Sequence, residues 1–211
     1  MKTDDLITLM TQDAPAGMRY GRALALALGV GIVVSAVLLV GTVGLRHNMA
    51  SVFETARVLF KIAVTLVLAV LAARLAMRVG RPGAETSRPA LLLVVPVLMV
   101  VMAVIAELVV LPSDAWGASL VGRNALFCLF FVPVLSLAPF AGLFWALKKG
   151  APQDPTAAGA AAGLAAGAIA AAIYAWHCPD DSPLFLVVWY TIAIAGVTAA
   201  GALLGRRWLR W

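Results

Sequence analysis

The chain has 211 residues, of which 63% are hydrophobic and only 12% charged, with a formal net charge of +6. That is too apolar for a soluble globular domain of this length, in which roughly a quarter of residues carry charge. Lys and Arg stand at the ends of apolar runs rather than in one patch, which excludes direct nucleic-acid binding and fits the flanks of membrane helices.

The chain opens with a polar stub. Thr3 followed by Asp4 and Asp5 reads as a helix N-cap with acids in the first turn, and Leu6, Ile7, Leu9 and Met10 supply an apolar side. Lys2 to Asp13 is therefore expected to form a short acidic amphipathic helix. Acidity does not suit an anionic lipid leaflet but does suit docking into the apolar groove of a partner. A frayed tail fits the same residues. The first apolar run begins near Ala23 and exceeds the roughly 7–15 residues of a signal-peptide core, so it is expected to be a retained membrane helix.

Six spans follow, at about Ala23–Leu45, Val58–Ala76, Ala90–Leu111, Asn124–Leu147, Thr156–Trp176 and Leu184–Leu204. Each matches the roughly 17–25 residues needed to cross a hydrocarbon core. The gaps hold breakers such as Gly80-Arg81-Pro82-Gly83 and Pro152-Gln153-Asp154-Pro155, and none can hold a separate domain. The expectation is an all-α polytopic membrane protein. Residues 1–22 form an N-terminal segment, 23–204 a six-helix transmembrane domain and 205–211 a tail. Pro96, Pro133 and Pro139 are expected to kink their helices, which membrane helices tolerate.

Charge bias sets orientation. The side holding both termini carries twelve of the 16 Lys and Arg, the other side four (Arg46, Arg57, Lys61 and Arg123). Both termini are thus expected on the cytoplasmic side. All six Trp fall near span ends, where an amphipathic ring is at home.

The fifth span is nearly all Ala and Gly from Ala157 to Ala172. Gly159, Gly163 and Gly167 lie four apart and share one helix face, allowing close backbone approach. That face fits a homodimer seam or packing within the monomer. Packing is favoured, with the helix at the centre of the bundle.

The densest chemistry is His177-Cys178-Pro179-Asp180-Asp181-Ser182-Pro183, between the last two spans. The other cysteine, Cys128, lies only roughly 7 Å into the fourth span from Arg123, at the helical rise per residue. The charge count thus puts both thiols at the outer face. A disulfide needs Cα atoms about 4.4–6.8 Å apart, which is feasible if the fourth and fifth spans are neighbours. The alternative is that Cys128 is an inert buried residue. His177 could raise the thiolate fraction of Cys178. A zinc site from His47, His177, Cys128 and Cys178 has the right donor types but matches no compact finger spacing. Asp180 and Asp181 also fit a plain proline-bounded loop.

Lys61 and Glu107 lie inside apolar runs near the outer ends of the second and third spans, where charge in lipid is costly. They are expected to pair with one another or to snorkel. The functional alternative is a small transporter or channel, though transporters place such groups near the midplane. No hydrolase elbow, phosphate loop or paired-carboxylate site is present, so neither an enzyme nor a cofactor is expected.

Two stretches carry a resemblance. Met1-Lys2-Thr3-Asp4-Asp5-Leu6-Ile7 resembles the opening of the NrsF family of membrane anti-sigma factors. Tyr174 to Tyr190, with the His177–Pro183 loop and Trp189-Tyr190, resembles that family's hallmark near the last two spans. The resemblance implies a multi-pass bacterial inner-membrane protein that sequesters an extracytoplasmic-function sigma factor. It further implies release under oxidant or heavy-metal stress, with Cys128 and Cys178 as sensor thiols supported by His177, Asp180 and Asp181. Lys2 to Asp13 then becomes the sigma-binding segment.

Overall fold

The computed structural model describes residues 20–46, 55–150 and 152–210. Among these residues there are helices and no strand, and six helices are long and apolar enough to cross a membrane. They are α1 (Tyr20–Thr42), α2 (Ala56–Val79), α3 (Ser87–Val110), α4 (Ala125–Lys148), α5 (Pro155–Tyr174) and α6 (Pro183–Trp208). The protein is a multi-pass membrane protein. The six predicted spans are these six helices. A short helix before α4, Trp116–Val121, was not expected.

Packing follows side-chain size. Small residues make α5 the axis of the bundle, packed against α2, α4 and α6, with 72% of its span buried. Bulky aliphatic α3 is peripheral, with 11% of its span buried. On α2 six of the buried residues, Val58, Lys61, Thr65, Ala69, Ala72 and Ala76, recur every three or four positions, which is one helical face.

The small-residue face of α5 is filled from within the chain, not by a second copy. Gly159 and Gly163 lie against Gly201, Gly205 and Val197 of α6. A Cβ built on Gly163 would sit 2.5 Å from the carbonyl oxygen of Val197, so only glycine admits this backbone approach.

α4 remains one helix from Ala125 to Lys148 through both Pro133 and Pro139. Pro139 has no N–H for the carbonyl of Leu135, four residues back. The Ser35 hydroxyl of α1 takes its place, donating to the Leu135 oxygen at 2.6 Å. Gly31 lies against Pro139 on the same face. The proline that weakens α4 therefore binds it to α1.

The bundle has two ends. Tyr20, Gly80, Gly150 and Gly205 belong to one. The other gathers Gly44, Arg46, Lys61, Glu107, Asn124 and the Ala175–Ser182 loop.

The α5–α6 seam predicts a contrast between two glycines of one helix. Gly201→Ala should destabilise the protein by about 1–3 kcal/mol through overpacking. Gly196→Ala, which meets nothing within 4 Å, should be neutral or slightly stabilising. Thermal unfolding in detergent checks both, and equal midpoints for the two variants contradict the seam.

Candidate functional site

The Ala175–Ser182 loop is tied to four of the other five helices. Past α1, the Arg46 N–H donates to the Trp176 oxygen at 3.2 Å, and the His177 Nδ1 lies 3.0 Å from the Gly44 oxygen. From α2, the Lys61 ammonium donates to the Cys178 oxygen at 2.7 Å, to the Asp180 oxygen at 3.2 Å and to Asp181 Oδ1. Its three protons are thereby all used. The side chain is 1% exposed, and so depends on these partners.

Asp181 also takes Arg46 in a two-pronged pair, Nη2 to Oδ2 at 2.9 Å and Nη1 to Oδ1 at 3.2 Å. Asp180 faces the start of α4. It accepts the Asn124 N–H at 2.8 Å, the Arg123 N–H at 3.1 Å and the Asn124 side-chain amide at 3.2 Å. These are unpaired donors at a helix start, where a carboxylate also meets the favourable end of the dipole. Gly122 makes the approach feasible. Its φ is +62°, and a Cβ there would clash with the Phe185 ring and press on the Asp180 carboxyl.

From α3, Glu107 accepts Arg57 Nε at 3.1 Å and the Ser182 hydroxyl at 3.3 Å. The expected Lys61–Glu107 pair is therefore not formed. Each has a different partner, Asp181 for Lys61 and Arg57 for Glu107. Both sit at the loop end of the bundle and form ion pairs there, so neither lines a path through its middle.

Beneath this lid lie the thiols. Cys128 and Cys178 are free, 0% exposed and members of one buried cluster with Val132, Phe185, Tyr174 and Tyr190. α4 and α5, which lead to them, are neighbours, as a disulfide would need. The Cys178 thiol donates weakly to the Asp180 oxygen at 3.9 Å. The buried hydroxyls of Tyr174 and Tyr190 have no nitrogen or oxygen partner and lie beside the Cys178 sulfur. Burial pushes the Cys178 thiol up, and the Lys61 charge opposes it. His177 is not the activating group: its ring turns to the Gly44 oxygen and the Tyr174 face.

Chemically this is a pair of free thiols shielded from solvent. Among the described residues no three His, Cys, Asp or Glu stand together as a metal site. His47 and the Lys2, Thr3, Asp4, Asp5, Leu6, Ile7, Leu9 and Met10 segment lie outside the described residues. Reading the sequence alone missed Arg46, Arg57, Gly122 and Asn124. Arg46 and Arg57 were visible there only as flanking charges.

The family described as "Negative regulator of sigma F", NrsF, matches residues 9–211. The chain belongs to the NrsF family. It is 33% identical to a protein of Azospira oryzae named "Probable anti-sigma-F factor NrsF", with all of both chains covered. It is 30% identical, again with all of both chains covered, to the "Anti-sigma-F factor NrsF" of Caulobacter vibrioides. No solved structure matches it. The family is one of regulators, not of enzymes.

Asp181→Ala strands the buried Lys61 charge and should cost about 3–5 kcal/mol, as breaking a buried pair does. Adding Lys61→Met should recover a substantial part of the loss. A double-mutant cycle by thermal unfolding in detergent measures it, and strictly additive losses contradict the pairing.

Proposed function

We propose that this protein is an inner-membrane anti-sigma factor. It holds an extracytoplasmic-function sigma factor at the cytoplasmic face and releases it when Cys128 and Cys178 are oxidised or bridged by a soft metal ion. Full-length likeness to two proteins named anti-sigma-F factors carries the regulatory reading. The observation that carries the sensor is the burial of the chain's two cysteines in one cluster, directly under a loop braced to α1, α2, α3 and α4.

The Lys and Arg bias supports a cytoplasmic position for both termini, with the His177–Pro183 loop on the periplasmic side. Residues 1–22 then serve as the sigma-binding segment, 23–204 as the transmembrane domain and 205–211 as the tail. Lys2 to Met10 present the acidic amphipathic face that a groove on the sigma factor would take.

Joining Cys128 on α4 to Cys178 in the loop draws two braced elements together and changes how α4 sits against α1. The Ser35–Leu135 bond links those helices in mid-bundle, and α1 leads directly into residues 1–19. The two packings of the bundle form the bistable element that the thiols bias. A tenfold loss of affinity for the sigma factor needs only about 1.4 kcal/mol of coupling.

Two experiments test this reading. In a strain carrying Cys128→Ser and Cys178→Ser, transcription dependent on the sigma factor should stay repressed under oxidant. A normal induction sinks the thiol sensor. Deleting residues 1–13 should abolish copurification of the sigma factor with the membrane protein, while retention refutes the N-terminal docking site.

A further inference from the structure

The two thiols share a cluster and Lys61 acts on both, but it is tethered to the residue that carries one of them, Cys178. Lys61 is hydrogen-bonded to the carbonyl of Cys178 itself, so its charge is fixed within the same residue's reach. Its counter-ion, Asp181, is shared with Arg46. Lys61, Arg46 and their shared carboxylate thus stand beside the loop thiol, with Asp180 as an opposing negative charge. The other loop carboxylate, Asp180, is engaged with N–H donors at the start of α4. The remaining ionisable neighbours of the sulfur are Cys128 from α4, Tyr174 from α5 and Tyr190 from α6, none of which brings positive charge. His177, adjacent in sequence, has its ring committed to the Gly44 oxygen.

Cys128, equally buried, stands in the first turn of α4 and shares the cluster with Val132 and Leu135. A thiolate there would lack the direct tether that joins Lys61 to the Cys178 backbone. The thiolate is the nucleophile, so the thiol nearer a fixed cation reacts first with an oxidant or electrophile.

We propose that Lys61 is the positioning residue that makes Cys178 the leading thiol, the one that ionises first and reacts first, with Cys128 following as its partner. This deepens the thiol-sensor reading and rests on it for its biological meaning. The order of ionisation itself can be measured whether or not the thiols act as a sensor.

The test is a pH titration of the full-length protein in detergent micelles, with 13C at the cysteine Cβ positions. The two signals are assigned with the single variants Cys128→Ser and Cys178→Ser. The expected result is that Cys178 ionises below Cys128. In Lys61→Gln, whose amide can still donate to the loop carbonyls but carries no charge, the Cys178 midpoint should rise by about one pH unit or more, a tenfold loss of thiolate at fixed pH. Lys61→Arg should restore it, and His177→Ala should leave it in place. Ionisation of Cys128 first in the unmodified protein, which needs no substitution at Lys61, overturns the proposal. So does an unmoved midpoint in Lys61→Gln. If the order holds but the Cys128→Ser, Cys178→Ser strain still responds to oxidant, the sensor reading fails and the assignment of Lys61 stands.

Discussion

A buried ammonium organises this molecule. Lys61 enters from α2 with almost no solvent, and a charge in that position is stable only with every proton paired. Its partners all come from one loop: two backbone carbonyls and the Asp181 carboxylate. Satisfying the lysine therefore fixes the loop, and fixing the loop seats Cys178 in the cluster that holds Cys128. Arg46, Asp180 and Glu107 then tie the same loop to α1, α4 and α3. The reactive element of the chain is the most heavily braced loop among the described residues. The loop that carries Cys178 is thus tied to α1, α2, α3 and α4.

The helices of the bundle are joined by two kinds of contact. Between α5 and α6 the glycine faces allow backbone against backbone, a tight seam with little freedom to slide. Between α1 and α4, Gly31 lies against Pro139, and the Ser35 hydroxyl replaces the hydrogen bond that Pro139 removes. The first contact gives the loop a firm base, since α5 and α6 are the helices that flank it. The second fastens α4, which carries Cys128, to α1. α3 is peripheral and reaches the site chiefly through Glu107, so it contributes a clamp rather than a core.

Much of the fold was legible in the sequence. Six apolar runs longer than a bilayer is thick cannot be mistaken for soluble helices, and the Ala- and Gly-rich fifth run could only be stable among neighbours. The approach of the two cysteines to one end followed from counting spans. What was not legible depended on which side chains meet across the bundle. Lys61 and Glu107 were each correctly placed near the same end, yet each found a different counter-ion, because pairing is decided by helix rotation that no local pattern records. His177, Cys178's neighbour in sequence, points to Gly44 instead of the thiol. Gly122 drew no notice in the sequence, although a side chain there would meet the Phe185 ring and the Asp180 carboxyl.

The central claim is that the state of the thiol pair at one end of the bundle sets the affinity for a sigma factor at the other. It is tested most directly in inverted membrane vesicles carrying the protein with its sigma factor bound. Oxidant is titrated in, and the Cys128–Cys178 disulfide, read by mass spectrometry, is compared with the sigma factor remaining on the vesicles. The two should change together, one sigma factor leaving for each disulfide formed. Complete disulfide formation with the sigma factor still bound would contradict it.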